Sequence, residues 1–249
     1  MKRFGRFSFY KNASIAMIMK PDLTNHPIKA VLFDMDGVLV DSIPIHIQSW
    51  NEVLLQKGLP EYSTDLYFSA LGRTSLDMVR TYCRENQIML TESQMQDILS
   101  QKEDIFQKNI GEYASTTPGV IDWLDYCKCL GILCAVVSSS TMTNIIHVLH
   151  SLHIADFFSA IVSGANFPAS KPDPRVYQNA AASLGMPAQF CLVVEDTPTG
   201  IQAAKHAGMV CCAVTTSYPK HFLENADLVL NFLSDADPKI LFLNERRKK

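Results

Sequence analysis

The sequence predicts an α/β protein: a parallel sheet with helices on both faces, and a small helical domain inserted after the first strand. Two observations point to this. Short apolar runs at 29–34, 132–137, 160–163, 191–194 and 210–214 read as buried strands separated by helix-period segments. From about residue 43 to residue 111 the pattern is instead helical, with few strand-like runs. A chain of 249 residues that is 47% hydrophobic can bury a sizeable core and a smaller companion domain.

The elements follow in order. The run at 29–34 ends in Asp34-Met35-Asp36-Gly37, an apolar strand delivering two carboxylates to a sharp glycine turn. Trp50, Val53, Leu54 and Leu55 suit the buried face of one amphipathic helix, with Trp50 in the core of the inserted domain. Leu76, Val79, Tyr82 and Cys83 suit a second, with Gly72 and Thr74 supplying the turn before it, and 92–106 a third. These helices make up an expected cap over 45–112, between core segments 29–44 and 113–249; residues 1–28 form an N-terminal extension. Beyond Pro118 and Gly119 helix and strand alternate: helices are expected near 120–130, 142–149, 177–184 and 199–207, between the remaining strands. Such alternation is the signature of a parallel sheet.

Composition narrows the function. With 22 basic and 25 acidic side chains the formal net charge is -3, and no long basic stripe offers itself to a nucleic-acid backbone. The seven cysteines are odd in number, contain no C-x-x-C pair and read as reduced; Cys127 and Cys129 are too sparse for zinc. The first twenty residues carry five basic and no acidic side chains, and their longest apolar stretch, near 15–19, is too short to cross a membrane. The expectation is a cytoplasmic protein with no membrane partner, a monomer or weak dimer.

Ligands of parallel sheets bind beyond the carboxyl ends of the strands, and the polar residues gather there. The first strand ends in Asp34 and Asp36, the second in Ser138, Ser139 and Ser140, and the run through Val194 in Glu195 and Asp196; Lys171 precedes Pro172 in a polar loop. Two carboxylates at one strand exit divide work naturally: one attacks or holds a metal, the other moves a proton.

In order along the chain, DMDGVLVDS (34–42), VVSSST (136–141), SKPDP (170–174) and VVEDTPTGIQAAKHAGM (193–209) resemble the four motifs of the haloacid dehalogenase superfamily, in the branch of β-phosphoglucomutase and related sugar-phosphate phosphatases. The resemblance spans residues 29–229 and implies a Rossmann-like core with a small helical cap. It implies that Asp34 attacks a phosphoryl group to form an aspartyl-phosphate, and that Asp36 protonates the leaving oxygen and later activates water. Mg²⁺ would be held by Asp34, the Asp36 backbone carbonyl and Asp196, with Glu195 either a ligand or an orienting neighbour. Ser139 would bind phosphate, with Ser138 and Ser140 open as one-residue shifts, and Lys171 would balance the oxygens' charge. Thr197 is expected to orient Asp196 or a metal-bound water, and Ser42 to orient the cap hinge.

The same resemblance gives His46 a contact to Asp36 and to substrate. LGRTS (71–75) is similar to the cap's specificity loop, where the mutase has a lysine at the position of Leu71 and an arginine at that of Ser75. Arg73 and Ser75 are therefore candidate substrate contacts, but both cationic positions are lost. A mutase must grip a second phosphate, so the expected function is a Mg²⁺-dependent phosphatase of a small phosphorylated metabolite, a sugar or polyol phosphate. The alternatives are a mutase-like phosphotransferase and, outside catalysis, a phospho-accepting signalling domain.

Overall fold

The computed structural model describes residues 27–71 and 73–239. Most of the expected extension 1–28, and Gly72 of the expected turn, lie outside the described residues. The chain runs β1 (Ala30–Phe33), α1 (Ile43–Gln56), α2 (Thr64–Ala70), α3 (Ser75–Glu85), α4 (Glu92–Tyr113), α5 (Val120–Leu130), β2 (Leu133–Ser138), α6 (Met142–Ser151), β3 (Ala160–Ser163), α7 (Arg175–Ser183), β4 (Cys191–Glu195), α8 (Pro198–His206), β5 (Val210–Val214) and β6 (Leu228–Leu230).

All strand pairs are parallel, in the order β3-β2-β1-β4-β5-β6. Connections from β1 leave toward β2 on one side, and β4 returns on the other. The switch point therefore lies between β1 and β4, where Phe33 pairs with Val194, and a crevice opens at their carboxyl ends.

Strand alternation splits the core in two. Val31 and Phe33 pack on one face with Trp123 of α5 and Val148 of α6, while Ala30 and Leu32 pack on the other with Tyr177 of α7 and Ile201 of α8. A third apolar cluster joins the first four helices through Trp50, Tyr62, Tyr67, Val79 and Tyr82. Helices α1 and α4 connect it to the sheet, because Ile45, Phe106 and Ile110 belong to the first core cluster.

The expected strands all form, and β6, only three residues long, is the one added. Helix α2, capped by Ser63 through a bond from Leu66 N–H, also escapes a period-based reading because it is too short to show one. Helix α4 runs to Tyr113 rather than 106, since Phe106 and Ile110 continue its buried stripe; Thr91 and Gln94 open it with a reciprocal capping box. Leu55 is 75% exposed: it turns about 100° away from the stripe of Trp50, Val53 and Leu54.

Trp123 is fully buried, and its Nε1 donates to the Leu233 carbonyl at 3.0 Å, tying α5 to the segment after β6. Trp123→Ala is expected to lower stability by about 3–5 kcal/mol. Urea unfolding should show an earlier midpoint at an unchanged slope.

Candidate active site

Asp34 extends the ladder, its N–H donating to the Val194 carbonyl at 2.9 Å, so its carboxylate emerges at the switch point. The chain then reverses through Gly37, whose φ is +81°. A side chain there would run into the carboxylate of Asp196 and the hydroxyl of Ser217. Glycine thus permits the turn after β1 to lie against the acidic pair after β4.

Lys171 is buried behind these groups, and its Nζ donates to Asp34 Oδ1 and to Glu195 Oε1, each at 2.6 Å. Glu195 is saturated. Its Oε1 also accepts from the Tyr177 hydroxyl at 2.6 Å, and its Oε2 accepts from the backbone N–H groups of Asp196 and Thr197 and from the Thr197 hydroxyl. The Thr197 hydroxyl also accepts from Gly200 N–H, so it orients Glu195 and caps α8. Gly200 leaves the room that the Glu195 side chain occupies. Asp196 receives the Ser217 hydroxyl on Oδ2, while its buried Oδ1 has no partner among the described residues.

Three buried carboxylates therefore face one ammonium. Burial first, opposed by Lys171 but reinforced by Glu195 and Asp36, pushes Asp34 up to about 8. Burial, with Glu195 and Asp34 beside it, likewise raises Asp196 well above the carboxylate range. Glu195 stays below its ordinary value: burial opposes its charge, but Lys171, Tyr177 and the Thr197 amide outweigh that cost.

Asp36 has different surroundings. Its Oδ1 accepts from the Ser42 hydroxyl at 2.5 Å and lies 3.2 Å from His46 Nε2; its Oδ2 accepts from the Ser140 hydroxyl at 3.3 Å. Ser42 stands at the N-cap of α1, where its hydroxyl reaches Asp36 rather than the helix backbone. His46 stacks on Phe106 with centroids 4.0 Å apart, and its Nδ1 lies 3.0 Å from Lys102 Nζ. An ammonium only donates, so Nδ1 accepts from Lys102 and Nε2–H donates to Asp36. Burial and the Lys102 charge lower the His46 pKa, keeping the imidazole neutral against the pull of Asp36. Burial alone would raise Asp36, but His46, Ser42 and the charge of Lys102 hold it below its ordinary value.

Lys102 was not legible as a site residue. It is 1% exposed and occupies the buried stripe of α4 between Leu99 and Phe106, a lysine at an apolar position, which is the signal that could have revealed it. Glu103 beside it accepts from Lys102 at 3.2 Å, from the Ser75 hydroxyl at 3.1 Å and from Asn144 of α6. Tyr177 and Ser217 are two further contributors that carry no motif of their own.

Asp34, Asp36, His46, Ser139, Ser140 and Asp196 line a chamber of about 50 Å³, joined by Leu71, Arg73 and Ser75. Arg73, Ser75 and Ser139 also border a wider cleft of about 870 Å³ between α3 and the loop carrying Lys171. Ser138 is buried, and its hydroxyl accepts from Ser140 N–H at 3.0 Å. Of the expected site residues, Asp34, Asp36, His46, Arg73, Ser75, Ser139 and Asp196 meet at the chamber, with Lys171 and Glu195 behind it. Among the described residues no three His, Cys, Asp or Glu side chains are grouped as a metal cage. No helix among them is long and apolar enough to cross a membrane.

Residues 31–214 match the family model of the haloacid dehalogenase-like hydrolases. The chain is 30% identical over 219 residues to a β-phosphoglucomutase of Bacillus subtilis, covering 86% of this chain and 94% of that protein. It is 29% identical over 194 residues to a phosphoglycolate phosphatase of Pseudomonas syringae pv. tomato, covering 76% and 70%. The crystal structure of CbbY from Rhodobacter sphaeroides in complex with phosphate superimposes with a TM-score of 0.78 at 24% identity, covering 84% of this chain and 96% of that one, a likeness of fold. With the motif residues gathered at one switch point and the family model spanning most of the sheet, the chain belongs to the haloacid dehalogenase-like hydrolase family.

Proposed function

We propose that this protein is a phosphohydrolase that releases phosphate from a small phosphorylated sugar or polyol, with Asp34 as nucleophile and Asp36 as acid and base. The observation that carries the reading is the contrast between the two aspartates. Asp34 sits in a carboxylate-rich cluster with Lys171, whereas Asp36 is held as a carboxylate by Ser42, Ser140 and the His46–Lys102 chain. Asp34 attacks phosphorus, and the transferred group rests on its Oδ. An incoming phosphate brings negative charge toward Asp36 and favours its protonation, so that it can donate to the leaving oxygen. Asp36 is then the base that takes a proton from water attacking the aspartyl-phosphate. Ser139 and the N–H groups around it bind phosphoryl oxygens at the chamber wall.

The residues fit a hard divalent cation. Asp196 Oδ1 is a buried oxygen without a partner, and the raised Asp34 and Asp196 mark more negative charge than Lys171 offsets. Asp34, Asp196 and the Asp36 backbone carbonyl would hold magnesium, and Glu195, with both oxygens engaged, orients Lys171 and the loop. The chemistry that magnesium supplies is charge neutralisation and polarisation of phosphoryl oxygens. Residues 45–112 act as the cap that sets substrate choice over core segments 29–44 and 113–249.

Hydrolysis is favoured over phosphotransfer to a sugar because Leu71 and Ser75 stand at the chamber where the mutase has its cations, and Ser75 is turned to Glu103. Incubation with β-glucose 1-phosphate and a trace of the 1,6-bisphosphate is expected to yield free phosphate. Predominant glucose 6-phosphate would overturn the assignment.

Asp34→Asn should remove turnover of a generic phosphomonoester by at least about a thousandfold, with unchanged folding by circular dichroism. Lys102→Met should lower kcat by about ten- to a hundredfold and displace the acid limb of the pH profile, because the imidazole orienting Asp36 loses its partner. A lowered kcat with an unmoved profile would assign Lys102 to packing alone. Magnesium should raise the melting temperature of the wild-type protein by several degrees, about 2–4 °C per kcal/mol of binding, and should raise that of Asp196→Asn much less. Differential scanning fluorimetry with and without a chelator reads this independently of turnover.

A further inference from the structure

The chamber over Asp34 has two walls. The strand exits supply Asp34, Ser139 and Asp196, and the inserted helices supply His46, Tyr67 and Leu71. Tyr67 comes from α2, the helix too short to show a period. Its ring belongs to the apolar cluster of the inserted helices, edge-on to Tyr62 and to Phe68 with centroids 6.0 Å apart in each case. The Tyr218 hydroxyl donates to the Phe68 carbonyl, and Ser217 beside it donates to Asp196. Helix α2 is thereby tied to the segment that also holds the acidic pair.

A tyrosine hydroxyl taken out of water normally finds an acceptor. Among the described residues the other three buried tyrosines obey this. Tyr62 donates to the Met78 carbonyl at 3.0 Å, Tyr82 to the Pro60 carbonyl at 2.7 Å and Tyr177 to Glu195 Oε1 at 2.6 Å. Tyr67 is only 2% exposed, yet its hydroxyl has no hydrogen-bond partner among the described residues. Burial, with Asp36, Tyr62 and Asp196 around it, holds the phenol well above its ordinary pKa, so it stays an O–H donor. A buried donor without an acceptor, at the wall of a polar chamber, is placed for an acceptor that arrives with the ligand.

We propose that Tyr67 is a catalytic residue whose hydroxyl donates a hydrogen bond to an oxygen of the transferring phosphoryl group, from the wall facing Ser139. This rests on the phosphohydrolase reading of the chamber. A phosphoryl group in transfer spreads its charge over three oxygens, and donors on the sheet side alone leave part of that charge unmatched. A neutral phenol suits the opposite wall. It supplies the bond without adding a positive charge, which would hold Asp36 ionised when it must carry a proton to the leaving oxygen.

The test compares Tyr67→Phe with Tyr82→Phe, which loses a hydroxyl bonded to the protein itself. Calorimetric titration of orthovanadate, with Mg²⁺ present, reads the contact without turnover, because vanadium adopts the five-coordinate geometry of phosphoryl transfer. Tyr67→Phe is expected to weaken orthovanadate binding about tenfold or more and to lower kcat for a generic phosphomonoester by a similar factor, with KM kept within about threefold. Its melting temperature should stay at or above that of the wild type, since no hydrogen bond within the protein is lost. Tyr82→Phe should do the reverse, lowering the melting temperature while orthovanadate affinity stays within about threefold. Undiminished orthovanadate affinity in Tyr67→Phe, a fall of several degrees in its melting temperature, or no orthovanadate binding by the wild type would overturn the contact. Weakened orthovanadate binding in Tyr67→Phe, beside a wild type that hydrolyses no phosphomonoester, would instead sink the phosphohydrolase reading and leave the contact standing.

Discussion

A buried ammonium shared between two carboxylates, Lys171 between Asp34 and Glu195, is the interaction on which the site depends. Desolvating three charges is costly, and the cost is offset at Glu195, where Tyr177, Thr197 and two backbone amides engage the remaining lone pairs. Burial disfavours the Lys171 charge, yet Asp34 and Glu195 more than reverse this and raise its pKa. Removing one partner would leave an uncompensated charge, so Lys171, Glu195 and Asp34 act as a unit. The surplus is carried by Asp196, whose free oxygen faces the same centre.

The second half of the site is built across the inserted helices. His46 comes from α1 and meets Asp36, and Lys102 comes from α4 and meets His46. Glu103 extends this chain in two directions, to Ser75 at the start of α3 and to Asn144 on α6, while the Tyr218 hydroxyl donates to the Phe68 carbonyl on α2. Asp36 is thus positioned by the packing of the helical insertion on the sheet, whereas Asp34 is positioned by the sheet and Lys171.

Two close approaches make the geometry available. Gly37 lets the turn after β1 touch Asp196, and Gly200 gives Glu195 its space at the start of α8. Both follow a simple requirement: carboxylates from different strands must lie within reach of one another, and a methyl group at either point would occupy that volume.

By itself the sequence determined the strand and helix alternation, the acidic strand exits and the order of the four motifs. Those depend on local apolar periodicity and on residue types at fixed spacing, which a linear reading retains. The helical insertion was legible for the same reason, although α2 and β6 were too short to carry a period. Tertiary structure alone decided which oxygens were satisfied, that Thr197 and Tyr177 serve Glu195, and that Lys102 reaches His46 across 56 residues. It also decided that Tyr67 of α2 lines the same chamber as Asp34. Such pairings depend on the packing of helices far apart in the chain, and no local pattern encodes which side chain a buried charge will meet.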